Sequence, residues 1–320
     1  MRILFITSNR IGDAVLSTGI LNYLIKQYPD AKMTVACSSI VAPLFFSTPN
    51  IEKIIEIDKK PYSLHWVKLW YKVSIKFWDL VVDLRSSAIS FILLTRRRIL
   101  FKRSKKLIHQ VEALAKALDV FPPPDPFIFV GESYQKKSKM LINTDQQVLA
   151  VGAGANWGGK QWPIENFVEL IHRLTSKGGY LEGSKVAILG SDIERPMITK
   201  LILSISDSRC IDLLGKTDLL TAYACLKRCT AFVGNDSGLM HLAASSGVPT
   251  LGLFGPSQED IYGPWGKNSA SVRTKRSFNE IVNSKNYDYR SKNSHMHDLN
   301  VSTVEQEFIK LLNRLKNKCD

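Results

Sequence analysis

A chain of 320 residues, 45% hydrophobic and 22% charged, has room for two domains of about 150 residues and the composition of a folded globular protein, which excludes a disordered or fibrous one. Its formal charge of +14 is unusual and points to an acidic partner: nucleic acid, an anionic membrane surface or a phosphorylated substrate. Cysteines at 37, 210, 225, 229 and 319 form no Cys-x-x-Cys pair and no ligand spacing with histidine, which argues for reduced thiols rather than a disulfide framework or a zinc site.

The chain opens on "RILFIT", a strand pattern, followed by the helical "IGDAVLSTGILNYLIKQY", then the strand "KMTVACS" and a short helical piece. The start "MRILFITSNRIGD" has too short an apolar run for a signal peptide. No stretch approaches the roughly 20 apolar residues of a membrane span, so a soluble protein able to visit a membrane surface is expected, and the reduced thiols point to the cytoplasm. "IEKIIEID", the Trp-rich "LHWVKLWYKVSIKF", "DLVVDLR", "RRILFK" and "KLIHQVEALAKAL" continue the alternation of strand and helix. Three prolines in "DVFPPPDPF" (119–127) interrupt it, as a linker or domain edge would. A second series follows, with strands in "VLAVGAG", "KVAILGS", "CIDLLG", "AFVGND" and "TLGLFG" and helices near 164–177, 193–206, 218–229 and 237–247. Residues 275–297 read as loop, and "VSTVEQEFIKLLNRL" as an amphipathic closing helix able to pack on either half. Alternation of this kind implies α/β domains with parallel sheets covered on both faces. Two of them are expected, Rossmann-like and doubly wound, facing a central cleft.

Three strand–helix junctions carry candidate chemistry, because doubly wound folds bind ligands beyond the carboxyl ends of their strands. In "VGNDSGLMHLAASSGVPTLGLFGPS", Asp236 and Ser237 are able to cap a helix, Gly238 admits close backbone approach, and His241 falls one turn later. A plain N-cap with an incidental histidine is the competing reading. In "VGAGANWGGKQWP", Gly154 to Lys160 has the Walker-A spacing, but Gln161 stands where a hydroxyl should hold magnesium, and Pro163 moves the helix start past the lysine. Lys160 still suits a phosphate as a point charge. In "SNRIGDAVLSTGIL", Asp13 opens the first helix, either as a carboxylate complementing the helix dipole or as a general base. Finally, residues 59–106 hold thirteen Lys/Arg against two Asp, interleaved with Tyr62, Trp66, Trp70, Tyr71 and Trp78. The cluster Arg96, Arg97, Arg98, Lys102 and Arg103 is densest, and fits an anionic polymer or lipid head group better than a plain solvated face.

With these residues in place, the chain resembles the bacterial heptosyltransferases (glycosyltransferase family 9), which build the inner core of lipopolysaccharide. The blocks that carry the resemblance are "RIGDAVLSTGILNYLIKQYPDAKMTVAC", "WDLVVDLRSS", "GAGANWGGKQWP" and "VGNDSGLMHLAASSGVPTLGLFGPS". The resemblance implies a GT-B architecture, with residues 1–145 as a Rossmann-like acceptor-binding domain and 146–320 as a Rossmann-like nucleotide-sugar-binding domain. It implies inverting transfer of heptose from ADP-heptose to Kdo-lipid A or a heptosylated core, with no cofactor and no metal. Matched by motif, Asp13 resembles the catalytic base and Lys160 the lysine at the donor phosphates. Asp236, Ser237, Gly238, Leu239 and His241 resemble the nucleotide-binding turn, and Asp192, in "LGSDIERP", the place of a ribose contact where relatives often carry Glu. The cysteines that many relatives carry near residue 295 are replaced here by "SHMHD". The expected partners are a nucleotide-sugar, an anionic lipid-linked saccharide and the cytoplasmic face of the inner membrane, with peripheral attachment and no nucleic acid. A glycosyltransferase with another donor, a P-loop-like kinase or ATPase, and a basic nucleic-acid-binding protein are the alternatives.

Overall fold

A computed structural model describes residues 1–59, 61–102, 107–285, 287–289 and 292–317, and it divides into two compact units, Met1–Gly131 and Glu132–Asp320. The first unit runs β1 (Arg2–Ile6), α1 (Ile11–Gln27), β2 (Lys32–Cys37), β3 (Ile51–Glu56), α2 (Leu64–Val73), β4 (Trp78–Asp83), α3 (Ile89–Ile92), β5 (Thr95–Leu100) and α4 (Gln110–Ala117). Its five strands form one sheet in the order β3-β2-β1-β4-β5, every pair parallel. The central strands read as unbroken apolar runs because helices cover both faces; Ile3 to Ile6 are wholly buried.

Helix α1 is apolar around its whole circumference, buried from Ala14 to Asn22, as a helix enclosed on all sides must be. One wall of that enclosure is the proline-rich segment. Asn22 Nδ2 donates to the Phe127 carbonyl at 2.7 Å, and Phe127 N donates to Thr18 Oγ1 at 3.1 Å. Gly19 lies so close to the Pro124 carbonyl that a Cβ there would overlap it. The three prolines therefore form a strap docked on α1, the last part of the first unit.

The second unit begins with α5 (Glu132–Leu141), which packs on α8. It continues through β6 (Val148–Gly152), α6 (Ile164–Thr175), β7 (Lys185–Ile188), α7 (Arg195–Leu203), β8 (Cys210–Asp212), α8 (Leu219–Leu226), β9 (Ala231–Asn235) and α9 (Gly238–Ser246). Then come β10 (Thr250–Phe254), α10 (Glu259–Tyr262), β11 (Ser269–Arg273), α11 (Phe278–Val282) and α12 (Val301–Lys316). The six strands are parallel in the order β11-β10-β9-β6-β7-β8. Both units are thus Rossmann-like and doubly wound, as the alternating pattern requires.

Among the elements that the structure adds to the sequence reading are β11 and α11. β11 has only Val272 buried in its span and no apolar run; its pairing with β10 makes it a strand. Within 275–297, expected as loop, α11 forms behind a capping box in which Ser277 and Glu280 satisfy each other's backbone N–H groups. Helix α12 packs on α6, β10 and β11, and so belongs to the second unit. Cys37, Cys210, Cys225 and Cys229 are free thiols, and burial pushes Cys37 and Cys229 up to about 12. Cys319 lies outside the described residues. No described helix is long and apolar enough to cross a membrane.

The strap can be tested. Gly19→Val should destabilise the first unit by about 1–3 kcal/mol, since the obstacle is backbone that cannot rotate away. Limited proteolysis should then cut within 119–127 faster than in the parent chain, at unchanged cleavage elsewhere.

Candidate functional site

Each sheet reverses its strand order once, between β1 and β4 in the first unit and between β6 and β9 in the second. Loops leaving adjacent strands there turn to opposite faces, and the crevice between them is where doubly wound folds bind ligands. Most of the expected site residues stand at these two points.

In the second unit, β6 runs into the loop 153–163. A single 3-10 turn, Gly158–Lys160, presents Lys160, and α6 starts only at Ile164 with Pro163 as its N-cap. Lys160 therefore does not sit on the first turn of a helix, as a P-loop lysine would, and the P-loop reading falls. Its Nζ donates to Asp236 Oδ2 at 2.5 Å, with the lysine side chain 24% and the aspartate side chain 7% exposed. A carboxylate this enclosed is tolerable because an ammonium meets it. The expectation that Asp236 and Ser237 both cap the helix is thereby corrected: Asp236 holds the lysine, and Ser237 alone is the N-cap of α9, its Oγ accepting from Met240 N at 3.4 Å. Gly238 and Leu239 carry first-turn N–H groups that have no acceptor within the helix, which makes this end of α9 electropositive. His241 follows one turn later, 5% exposed.

Asn235, at the end of β9, was not singled out from the sequence, yet it closes the loop. Its side chain is fully buried, donates to the Ala153 carbonyl at 2.7 Å and accepts from Trp162 N at 3.1 Å, tying both ends of 153–162 to the neighbouring strand. The far side of the loop is held by "SHMHD". Ser294 Oγ donates to the Gln161 carbonyl at 2.6 Å, His295 N to the Gly159 carbonyl at 3.0 Å, and Trp162 Nε1 to the Leu299 carbonyl at 2.8 Å. The rings of Trp157, Tyr287 and His295 pack together with centroids 5.4–6.0 Å apart. A stretch without motif character thus supports the lysine loop.

Asp192 lies beyond the end of β7, its side chain 72% exposed and paired with Arg195 Nε at 2.8 Å. The next carboxylate, Glu194, closes a capping box by accepting from Ser191 N and Oγ, and it fills the space a Cβ would need at Gly154. The structure makes Glu194 a brace of the loop and leaves Asp192 open to solvent.

In the first unit, β1 leads through Thr7–Arg10 into α1. Asp13, in the first turn, accepts from Ser8 Oγ at 3.3 Å and is partly buried. Across the switch point, β4 ends on Asp83, a wholly buried carboxylate accepting from Arg85 N and Ser87 N at 2.8 Å and from the hydroxyls of Ser87 and Ser90 at 2.5 Å. That anchor shapes the turn carrying Arg85, a second residue the sequence reading passed over. Its Nη1 donates to Asn9 Oδ1 at 3.0 Å, and its guanidinium lies 4.6 Å from the Trp66 ring centroid. Among the described residues no carboxylate forms an ion pair with it. Burial holds Arg85 below its ordinary pKa, with Asp83 pulling the other way. His65, beside Trp66, is lowered by burial and by the charges of Arg85 and Lys59.

The basic cluster is split. Arg96 and Arg97 on β5 and Lys102 beyond it are exposed. Arg98 turns back, donating through Nε to the Ser90 carbonyl and through Nη2 to the Leu93 carbonyl at 3.2 Å. It is a brace for α3, which corrects its place among the solvent-facing charges. Arg103 lies outside the described residues.

A model of glycosyltransferase family 9 (heptosyltransferase) matches residues 82–289. The chain belongs to this family. The matched span includes Arg85, Lys160, Asp192 and the 236–241 turn, and leaves Asp13 outside. The lipooligosaccharide heptosyltransferase 2 of Haemophilus influenzae is 26% identical over 312 residues, covering 85% of this chain and 88% of that one. Among solved structures, a glycosyl transferase family 9 protein from Veillonella parvula DSM 2008 superposes with a TM-score of 0.78 at 21% identity, covering 98% of this chain and 97% of its own. The ADP-heptose lipopolysaccharide heptosyltransferase II of E. coli gives 0.75 at 21% identity, covering 99% and 100%. These likenesses fix the fold as GT-B.

In this glycosyltransferase the Asn235 bridge gives a direct test. Asn235→Ala strands two buried backbone groups, each at about 1–3 kcal/mol, so the second unit should lose roughly 2–6 kcal/mol in denaturant unfolding. Hydrogen exchange should rise across 153–162.

Proposed function

We propose that the protein transfers heptose from ADP-heptose to the inner core of lipopolysaccharide, with inversion and without a metal ion. The observation that carries this is the Lys160–Asp236 pair beside the amino end of α9, at the switch point of the second sheet. Family membership supplies the reaction class. The similarity to heptosyltransferases over most of the chain supports this donor and acceptor over another nucleotide-sugar.

The second unit binds the nucleotide-sugar. Its diphosphate lies over the first turn of α9, where Gly238 and Leu239 N–H groups meet it with the helix end's partial charge of roughly +0.5. Asp236 aims the ammonium of Lys160, whose remaining N–H groups donate to the phosphate oxygens as ADP departs. Asp192, solvent-exposed beyond β7, is placed at the ribose.

The first unit binds the acceptor and holds the base. An acceptor hydroxyl attacks the anomeric carbon, its oxygen forms the new glycosidic bond, and the bond from that carbon to the ADP oxygen breaks with the electron pair leaving on ADP. The hydroxyl proton passes to the Asp13 carboxylate. Arg85, stacked on Trp66 and without an ion-pair partner among the described residues, meets an anionic group of the acceptor, with Arg96, Arg97 and Lys102 drawing in the lipid-linked saccharide. The enzyme works peripherally at the cytoplasmic face of the inner membrane.

Two measurements test this reading. ADP should bind in calorimetry with EDTA present, and Lys160→Ala should weaken it about tenfold to a hundredfold, matching about 1.5–3 kcal/mol for a charged hydrogen bond; loss of all binding on chelation would defeat the metal-free donor site. Asp13→Asn should keep ADP affinity and melting temperature while transfer falls by at least about 10²-fold. Near-normal kcat in that variant would return Asp13 to the role of a dipole-complementing carboxylate.

A further inference from the structure

The first unit carries an outward surface that its fold does not use. Helices α2 and α3 lie on the same face of the first sheet, because Leu69 and Val73 of α2 and Ile89 and Leu93 around α3 enter one buried cluster with Leu4 and Val81. On each helix the opposite side faces solvent, and there an ordinary amphipathic helix turns polar. These do not. Val67, Tyr71 and Ile75, at helical spacing along and just past α2, are 60%, 72% and 85% exposed. Phe91, Ile92 and Leu94, on and just past α3, are 64%, 64% and 66% exposed. The two rows converge at their ends, where Trp78 N, three residues past Ile75, donates to the Leu94 carbonyl at 3.0 Å.

The polar residues among them have one sign. Lys68 and Lys72 alternate with the apolar row of α2, and the helix contains no carboxylate. Arg96 and Arg97 are exposed on the strand that follows α3. Large apolar side chains interleaved with lysine and arginine match the boundary of an anionic bilayer, where rings and aliphatic chains enter the acyl edge and the cations stay among phosphate groups. A protein partner would need acidic side chains placed between apolar ones at the same intervals. The patch lies on a helix-covered face of the sheet, and α2 runs from it to the crevice, where Trp66 stacks on Arg85.

We propose that this face, centred on Tyr71, Ile75, Phe91 and Ile92, is the surface on which the protein docks to a membrane containing anionic lipid. The proposal rests on the reading that the acceptor is lipid-linked, and it names the part of the chain that brings the crevice of the first unit to the lipid.

Sedimentation with sucrose-loaded vesicles tests the surface without donor or acceptor, so its outcome is separate from that of the transfer reaction. The full chain should partition onto vesicles of phosphatidylcholine mixed with phosphatidylglycerol and only weakly onto phosphatidylcholine alone. A Tyr71→Ser, Phe91→Ser, Ile92→Ser variant should lose partitioning by about tenfold or more, with ADP affinity and melting temperature unchanged because the three side chains are exposed. A Lys68→Gln, Lys72→Gln variant should bind more weakly and with less dependence on salt. With a lipid-free truncated acceptor the serine variant should transfer as the parent does, and with a vesicle-embedded acceptor it should be slowed. Vesicle binding equal to that of the parent in the serine variant would overturn the proposal. So would light scattering that shows a dimer of the parent chain which this variant dissociates, since the patch would then be a contact between copies.

Discussion

In a parallel sheet all strands end on one edge, and the helices that return the chain must choose a face. Where the strand order reverses, two neighbouring loops choose opposite faces and part from each other. That separation is the constraint on which the site depends. In the second unit it falls between β6 and β9, so the loop bearing Lys160 and the turn bearing Asp236 start side by side and frame a gap. The loop is long and glycine-rich, and its backbone would wander without an anchor. Asn235 supplies one by satisfying the loop's first carbonyl and its last amide from a fully buried position.

The same device serves the first unit with different chemistry. Between β1 and β4 stand a carboxylate in the first turn of α1 and a guanidinium held by Asn9 and Trp66. Asp83 makes this possible. A wholly buried carboxylate with four donors forces the chain after β4 into a tight turn and leaves Arg85 facing the loop that leads to Asp13. One unit thus presents a carboxylate and a guanidinium, the other a lysine and a helix end.

The charges differ in how they are compensated. Lys160 is paired and enclosed, so its direction is fixed by Asp236. Arg96, Arg97 and Lys102 are exposed, so salt screens their charges. Arg98 shows the limit of reading a run of like charges as one surface, since its guanidinium is consumed by two carbonyls of its own unit.

The sequence alone determined the two α/β halves, most strands and helices, and the positions of Asp13, Lys160 and the 236–241 turn. Apolar runs of strand length and small-residue helices leave a periodic trace, and a charged residue amid such runs stands out. What escaped it has no periodic trace. β11 is a strand because β10 offers it a ladder, and Ser294 and His295 matter because their positions place them against the Gly159–Gln161 backbone. Asn235, Arg85 and Glu194 read as ordinary polar residues until their partners are known, and those partners lie 82, 76 and 3 residues away along the chain. Only the tertiary structure decided that Asp236 grips the lysine while Ser237 caps the helix, because hydrogen-bond geometry, not residue type, chooses between two neighbouring side chains able to do either.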